Sequence, residues 1–181
     1  MIASLLILAI TVLPSDRMAM ADRLFNNGKY EEAAAEYKAL SGQEGIAADA
    51  LLFRLAECDR VAGRTVEALK GYAELLAKYP ESEHASRARF LKAMGHQGLE
   101  RRKLLAELDS DRIDLETRTA ALYHLGSEAS DPEILEKCVK LAPKGKYAPY
   151  ANLKYGTLLN ASEDPATRRK GVEVLLGLAF G

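Results

Sequence analysis

Three glycines set the strongest limit on what this chain can fold into. Gly28, Gly63 and Gly98 stand 35 residues apart, twice in succession. A constant period of roughly 20–50 residues marks a repeat architecture, in which each unit buries its apolar surface only against its neighbours. The segments after the first two glycines also agree. One reads Gly-Lys-Tyr-Glu-Glu-Ala-Ala-Ala-Glu-Tyr and the other Gly-Arg-Thr-Val-Glu-Ala-Leu-Lys-Gly-Tyr, so Glu-Ala recurs at plus four and plus five and Tyr at plus nine. A large apolar residue (Met20, Leu55, Phe90) lies eight positions before each glycine. These spacings have a mechanical reason. Glycine accepts the positive φ that ends one helix and lets the chain reverse. Ala33 and Ala68 are small enough for a second helix to approach closely. Tyr37 and Tyr72, one turn further along the same face, then fill the space between the helices.

Two further landmarks extend the repeat. Pro80 is followed by Ala85 and Ala88, and Pro143 by Ala148 and Ala151, at the same offsets; Gly45 with Ala50 is a weaker version. Each proline stops a helix, and each alanine pair begins the buried stripe of the next. After Gly98 the glycine landmark gives way to Asp131-Pro132 and Asp164-Pro165, 33 residues apart. Aspartate is a good N-cap and proline is tolerated at the first helical position, so each pair should open the second helix of a hairpin. Five helical hairpins follow, with helices expected at 16–27, 30–41, 46–62, 65–78, 83–97, 99–108, 114–129, 132–141, 147–160 and 166–179. The expected class is all-α. Composition agrees: Ala and Leu dominate, Trp is absent, and the 48% hydrophobic and 28% charged content is that of a folded chain rather than a disordered one.

The N-terminus reads as an address. Ile2 to Val12 is an apolar run too short for a bilayer, which takes about 20 residues, and of the length of a secretory signal. Ala19-Met20-Ala21 then offers a small-x-small cleavage site, so residues 1–21 are expected to be a signal peptide. No Cys follows the run, so lipid attachment there is not expected. Residues 22–110 should hold three hairpins and 111–181 two diverged ones. The apolar end Leu-Gly-Leu-Ala-Phe-Gly lacks the polar cap that solenoids need, so the chain is expected to continue beyond Gly181 or to dock its end on another chain.

The formal net charge of −1 gives no basic excess for phosphate neutralisation, so nucleic acid is not an expected partner. His84, His96 and His124 have no other His or Cys at ligand spacing, and no His-Glu-x-x-His, Gly-x-Ser-x-Gly or phosphate-binding glycine loop is present. No metal, cofactor or catalytic residue is expected. Cys58 and Cys138 fall in the second and fourth hairpins. Packed helices stand about 8–10 Å apart, so two repeats of separation exceeds disulfide reach; two unlinked, buried thiols are expected. Arg101-Arg102-Lys103 and Arg168-Arg169-Lys170 are adjacent residues on helices, point in different directions, and so form no single patch.

The segments Gly28–Tyr37 and Gly63–Pro80 resemble tetratricopeptide repeats (TPRs), which are usually about 34 residues long. The stretch Lys78 to Phe90, Lys-Tyr-Pro-Glu-Ser-Glu-His-Ala-Ser-Arg-Ala-Arg-Phe, is similar to the inter-repeat junction of bacterial envelope members, those of the Tol–Pal and Bam systems among them. The resemblance covers residues 17–98 well and 99–181 poorly. It implies a right-handed superhelix of antiparallel helical hairpins, a TPR-like α-solenoid, that binds a protein or peptide on its concave face. In that register the first helices expose Phe53, Glu57 and Arg60 in the second hairpin and Arg89, Lys92 and His96 in the third. This mixed-charge face is the expected partner-binding site. Chaperone-binding members hold a C-terminal carboxylate with a Lys/Asn clamp; Asn is absent from these positions, so no such clamp is expected. The expected function is a non-catalytic scaffold of the bacterial cell envelope, periplasmic or associated with the outer membrane, without an integral membrane span. Two alternatives stand beside it: the superhelical arm of a cell-wall lytic enzyme with its catalytic domain elsewhere, and a structural subunit of an outer-membrane assembly complex.

Overall fold

The computed structural model describes residues 13–180. The apolar run Ile2–Val12, most of the expected leader, lies outside the described residues. Ten helices follow in order: α1 (Pro14–Asn26), α2 (Tyr30–Ala39), α3 (Ala48–Val61), α4 (Thr65–Lys78), α5 (Ala85–Met94), α6 (Gly98–Ala106), α7 (Leu115–Ala129), α8 (Pro132–Leu141), α9 (Ala148–Asn160) and α10 (Pro165–Phe180). Among the described residues every regular element is a helix. The helices pair as hairpins, α1 with α2 through to α9 with α10.

The landmarks act as their chemistry requires. Gly28 and Gly63 take φ of 78° and 79° and reverse the chain between the helices of the first two hairpins. The Asp131 carboxylate accepts hydrogen bonds from the backbone N–H groups of Glu133 and Ile134 at 2.9 and 3.2 Å. The Asp164 carboxylate accepts from Thr167 N at 2.8 Å. Both satisfy donors that a helix start leaves unpaired. Helix α4 stops at Lys78 because Tyr79, before Pro80, is held out of the helical region at φ −135°, ψ 63°. Helices α3 and α9 begin two residues and one residue later than expected. Before α3, Ala47 is still extended at ψ 117°. Before α9, Tyr147 lies in a turn closed by Ala148 N to Gly145 O.

The chain divides into two compact units, the first ending at Ser82 and the second beginning at Glu83. The break falls at the Pro80 junction; the sequence landmarks change later, between Gly98 and Asp131. In the first unit α1–α3 close over Ala21, Ala33, Tyr37, Leu40, Leu51 and Cys58. Tyr37 is fully buried and Tyr72 is 1% exposed, so the two tyrosines of the repeat fill the inter-helix space as their register requires. Ala21 is also fully buried, so the described part of the expected leader supplies the first half of α1 and part of the core. In the second unit, α7, α8 and α9 bury Leu122, Leu135, Cys138, Ala151, Tyr155 and Leu159. Cys58 and Cys138 are both free and buried, and burial pushes each thiol up to about 11.

Candidate functional site

In the first unit each core tyrosine ends on a carboxylate of the preceding helix. Tyr37 donates to Asp22 Oδ1 at 2.6 Å, and Tyr72 donates to Glu57. Asp22 and Glu57 are themselves 35 residues apart, so the pair is part of the repeat. Burial, then the hydrogen bond to the carboxylate, raises the pKa of both phenols, which therefore stay protonated donors. The carboxylates are also matched by cations. Asp22 lies 3.4 Å from Arg54 on α3, and Glu57 is gripped by Arg60 through Nε at 2.7 Å and Nη2 at 3.0 Å. Arg64 joins Asp59 and Glu31, both at 2.8 Å.

This places three of the expected partner-binding residues in one cluster. Glu57 and Arg60 hold each other, and the Phe53 ring lies 6.2 Å from that of Tyr72. Arg60 is exposed, whereas Phe53 and Glu57 are half-buried. Arg89 and Lys92 lie three residues apart on α5, with His96 just past its end, and all three are half-buried. The His96 carbonyl accepts from Arg101 Nε at 2.7 Å.

The second unit carries a feature that sequence reasoning missed, a strip of rings over its successive first helices α5, α7 and α9. Phe90 on α5 lies 5.7 Å from His124 on α7. His124 lies 5.2 Å from Tyr123 and 6.2 Å from Tyr147. Tyr123 lies 5.5 Å from Tyr147 and 6.2 Å from Tyr150, so the strip reaches α9. Phe90 is buried, and at the other end Tyr150 is 58% exposed beside Leu153 at 56%. Two cations sit over the strip: Arg87 lies 5.4 Å from the centre of Phe90, and Lys146 lies 5.7 Å from that of Tyr147. Burial lowers the pKa of His124, and the nearby Arg101 adds to this against the opposing pull of Glu128. The signal was present: eight positions before each turn landmark gives Phe90 from Gly98 and Tyr123 from Asp131.

The two basic triplets are divided among partners. Arg101 pairs with Glu128 at 2.8 Å, and Arg102 donates to the Glu128 carbonyl at 2.9 Å, near the end of α7 where bare carbonyls favour a cation. Lys170 reaches Glu136 at 3.0 Å and lies 5.3 Å from the centre of the Tyr155 ring. Among the described residues no group of three His, Cys, Asp or Glu side chains could hold a metal ion, and no helix is long and apolar enough to cross a membrane.

Comparison with solved structures agrees with this geometry. A kinesin light chain-like protein of Podosopora anserina, described as having nearly identical TPR-like repeats, matches at a TM-score of 0.61 and 16% identity, covering 92% of this chain and 96% of its own. MamA, residues 41 to the end, from Desulfovibrio magneticus RS-1 matches at a TM-score of 0.63 and 17% identity, covering 92% of this chain and 93% of its own. The fold is TPR-like. No protein-family model and no curated protein matches the sequence. Stacked TPR-like hairpins account for the shared side chains at plus five and plus nine; the aromatic strip belongs to this chain's second unit.

Proposed function

We propose that this chain is a non-catalytic scaffold that binds a protein or peptide segment on the faces formed by its first helices. The observation that carries the reading is the strip from Phe90 to Tyr150, whose outer end leaves Tyr150 and Leu153 in water on a helix whose other face already packs into the core. Large apolar side chains exposed together mark an interaction surface more often than a catalytic one. Phe53, Glu57, Arg60, Arg89, Lys92 and His96 belong to the same reading as the charged part of these faces. The reading also includes export to the bacterial cell envelope, supported by the apolar run Ile2–Val12 and the Ala19-Met20-Ala21 site.

Affinity capture on the full chain, set against Arg60→Glu and Lys92→Glu variants, tests the binding faces. A partner retained by the parent and lost by either variant supports the scaffold; retention unchanged in both removes these residues from the site. Fractionation of a C-terminally tagged chain, with the mass of the mature form, tests export. A full-length product in the cytoplasm overturns it.

A further inference from the structure

We infer that the α5–α7–α9 face of the second unit takes an acidic peptide segment that carries aromatic side chains. This rests on the scaffold reading above and names the chemistry of its partner.

The charge on this face is sorted. Helix α5 carries Arg87, Arg89 and Lys92 and no carboxylate. Residues 142–160, which lead into and form α9, carry Lys144, Lys146 and Lys154 and again no carboxylate. On α7 the acids stand near the two ends: Glu116 in the first turn, and Glu128 held by Arg101 at 2.8 Å. The whole chain has a net charge of −1, so acids have been placed elsewhere. The turns of this unit carry most of them: Glu107, Asp109, Asp111 and Asp114 between α6 and α7, Asp131 before α8, and Glu163 and Asp164 before α10. On α8, Glu136 is consumed by Lys140 at 2.8 Å and Lys170 at 3.0 Å. The first helices of the other unit are the contrast: Asp22 meets Arg54, Glu57 meets Arg60, and Asp59 meets Arg64. Among the described residues Lys92, Lys144 and Lys154 form no ion pair. First-helix segments whose lysines form no ion pair favour an anionic ligand, because complementary charge speeds encounter and excludes cationic competitors.

The rings supply the second half of the specificity. They run from Phe90 through His124 to Tyr123, which neighbours both Tyr147 and Tyr150, with neighbouring planes tilted by 31° to 67°. Tilted rings leave wedge-shaped openings suited to the edge or offset face of another ring. Arg87 and Lys146 already lie over two rings, and from there each can meet a carboxylate beside an inserted aromatic group.

The test uses the full chain and three fluorescent twelve-residue peptides: Glu with Tyr, Glu with Ser in place of Tyr, and Lys with Tyr. The Glu/Tyr peptide should bind at least about tenfold more tightly than either of the others, and its affinity should fall as salt rises. Tyr150→Ala and Lys146→Glu, both at exposed positions, should each weaken it about tenfold, with circular dichroism unchanged. Equal binding of the Glu/Ser peptide would remove the aromatic half of the inference, and equal binding of the Lys/Tyr peptide the acidic half. Binding of a cell-wall glycan oligomer, lost in Tyr150→Ala, with no binding of the Glu/Tyr peptide would replace the peptide with a sugar. A captured protein partner that Arg60→Glu releases but Tyr150→Ala and Lys146→Glu retain would overturn this inference and leave the scaffold reading standing. Failure of the parent chain to retain any protein or any of these peptides would overturn both.

Discussion

Gly171 and Gly177 lie on the same helix, α10, and the same substitution should move stability in opposite directions at the two. A Cβ on Gly171 would stand 2.5 Å from Asn160 N, 2.8 Å from the Gly156 carbonyl oxygen and 2.9 Å from the Leu159 carbonyl carbon. All three are backbone atoms of α9, so no side-chain rotation can relieve the clash. Ordinary contacts lie at about 3.5–4.0 Å, so α9 and α10 must part by roughly 1 Å, and a gap of that size forfeits a quarter to a half of each dispersion contact across it. The contacts at risk include Gly156 against Leu175 and Val174, the close approach that a missing Cβ also permits there. Overpacking of this kind costs about 1–3 kcal/mol, and a backbone obstacle argues for the upper half. Alanine returns about 1 kcal/mol of helix propensity, so Gly171→Ala should lose roughly 1–2 kcal/mol net. Gly177 has nothing within 4 Å of its ideal Cβ and is exposed, so Gly177→Ala should gain about 0.5 kcal/mol. Repeat arrays open locally, so the readout is native-state hydrogen exchange of the α9 and α10 amides alongside urea unfolding. If Gly171→Ala protects those amides as well as the parent does, the close packing of the last hairpin is wrong.

Three other outcomes follow from the same contacts. Asp131→Ala leaves two N–H groups of α8 without their acceptor and should cost about 1 kcal/mol in urea unfolding, whereas Asp131→Asn should keep most of it; equal losses would refute the capping role. Hydrogen bonds from Lys140, Lys170 and Tyr155 hold Glu136 down to about 2, below its ordinary 4.5. A depressed carboxylate stabilises the fold fully above pH 4.5 and loses that contribution as pH falls towards 2, so the melting-temperature gap between the parent and Glu136→Gln should close across this window; a constant gap would contradict it. Cys58 and Cys138, with thiols near 11, should alkylate slowly in the folded chain at about pH 8 and both react once it is denatured, which mass spectrometry reads directly. Rapid labelling of either in the folded state would show that it is not buried.

The legibility of the chain follows the range of the forces involved. Helix ends were readable because their causes are local: the positive φ of Gly28 and Gly63, the carboxylate of Asp131, the restriction that Pro80 places on Tyr79. The burial of Tyr37 and Tyr72 was readable because the repeat fixes the face they share. The expected site was legible only in part. Register placed Phe53, Glu57 and Arg60 on one helix, yet could not show that Glu57 would be held by Tyr72 and Arg60. The aromatic strip was missed because its pairs between helices lie 23 to 34 residues apart along the chain, reaching into the diverged hairpins where the glycine landmark fails.

The sequence by itself determined the class of fold, the number of hairpins and the turns between them, since propensity, caps and periodicity each act within a few residues. Only the tertiary structure decided which charges are consumed within the fold and which are left over. Asp22 and Arg54 look like ordinary helix-surface residues until α1 and α3 bring them to 3.4 Å, while Arg87 and Lys146 look the same and come to rest over rings. Pairing across helices depends on side chains tens of residues apart meeting within a few ångströms, and a one-dimensional pattern carries no distance of that kind.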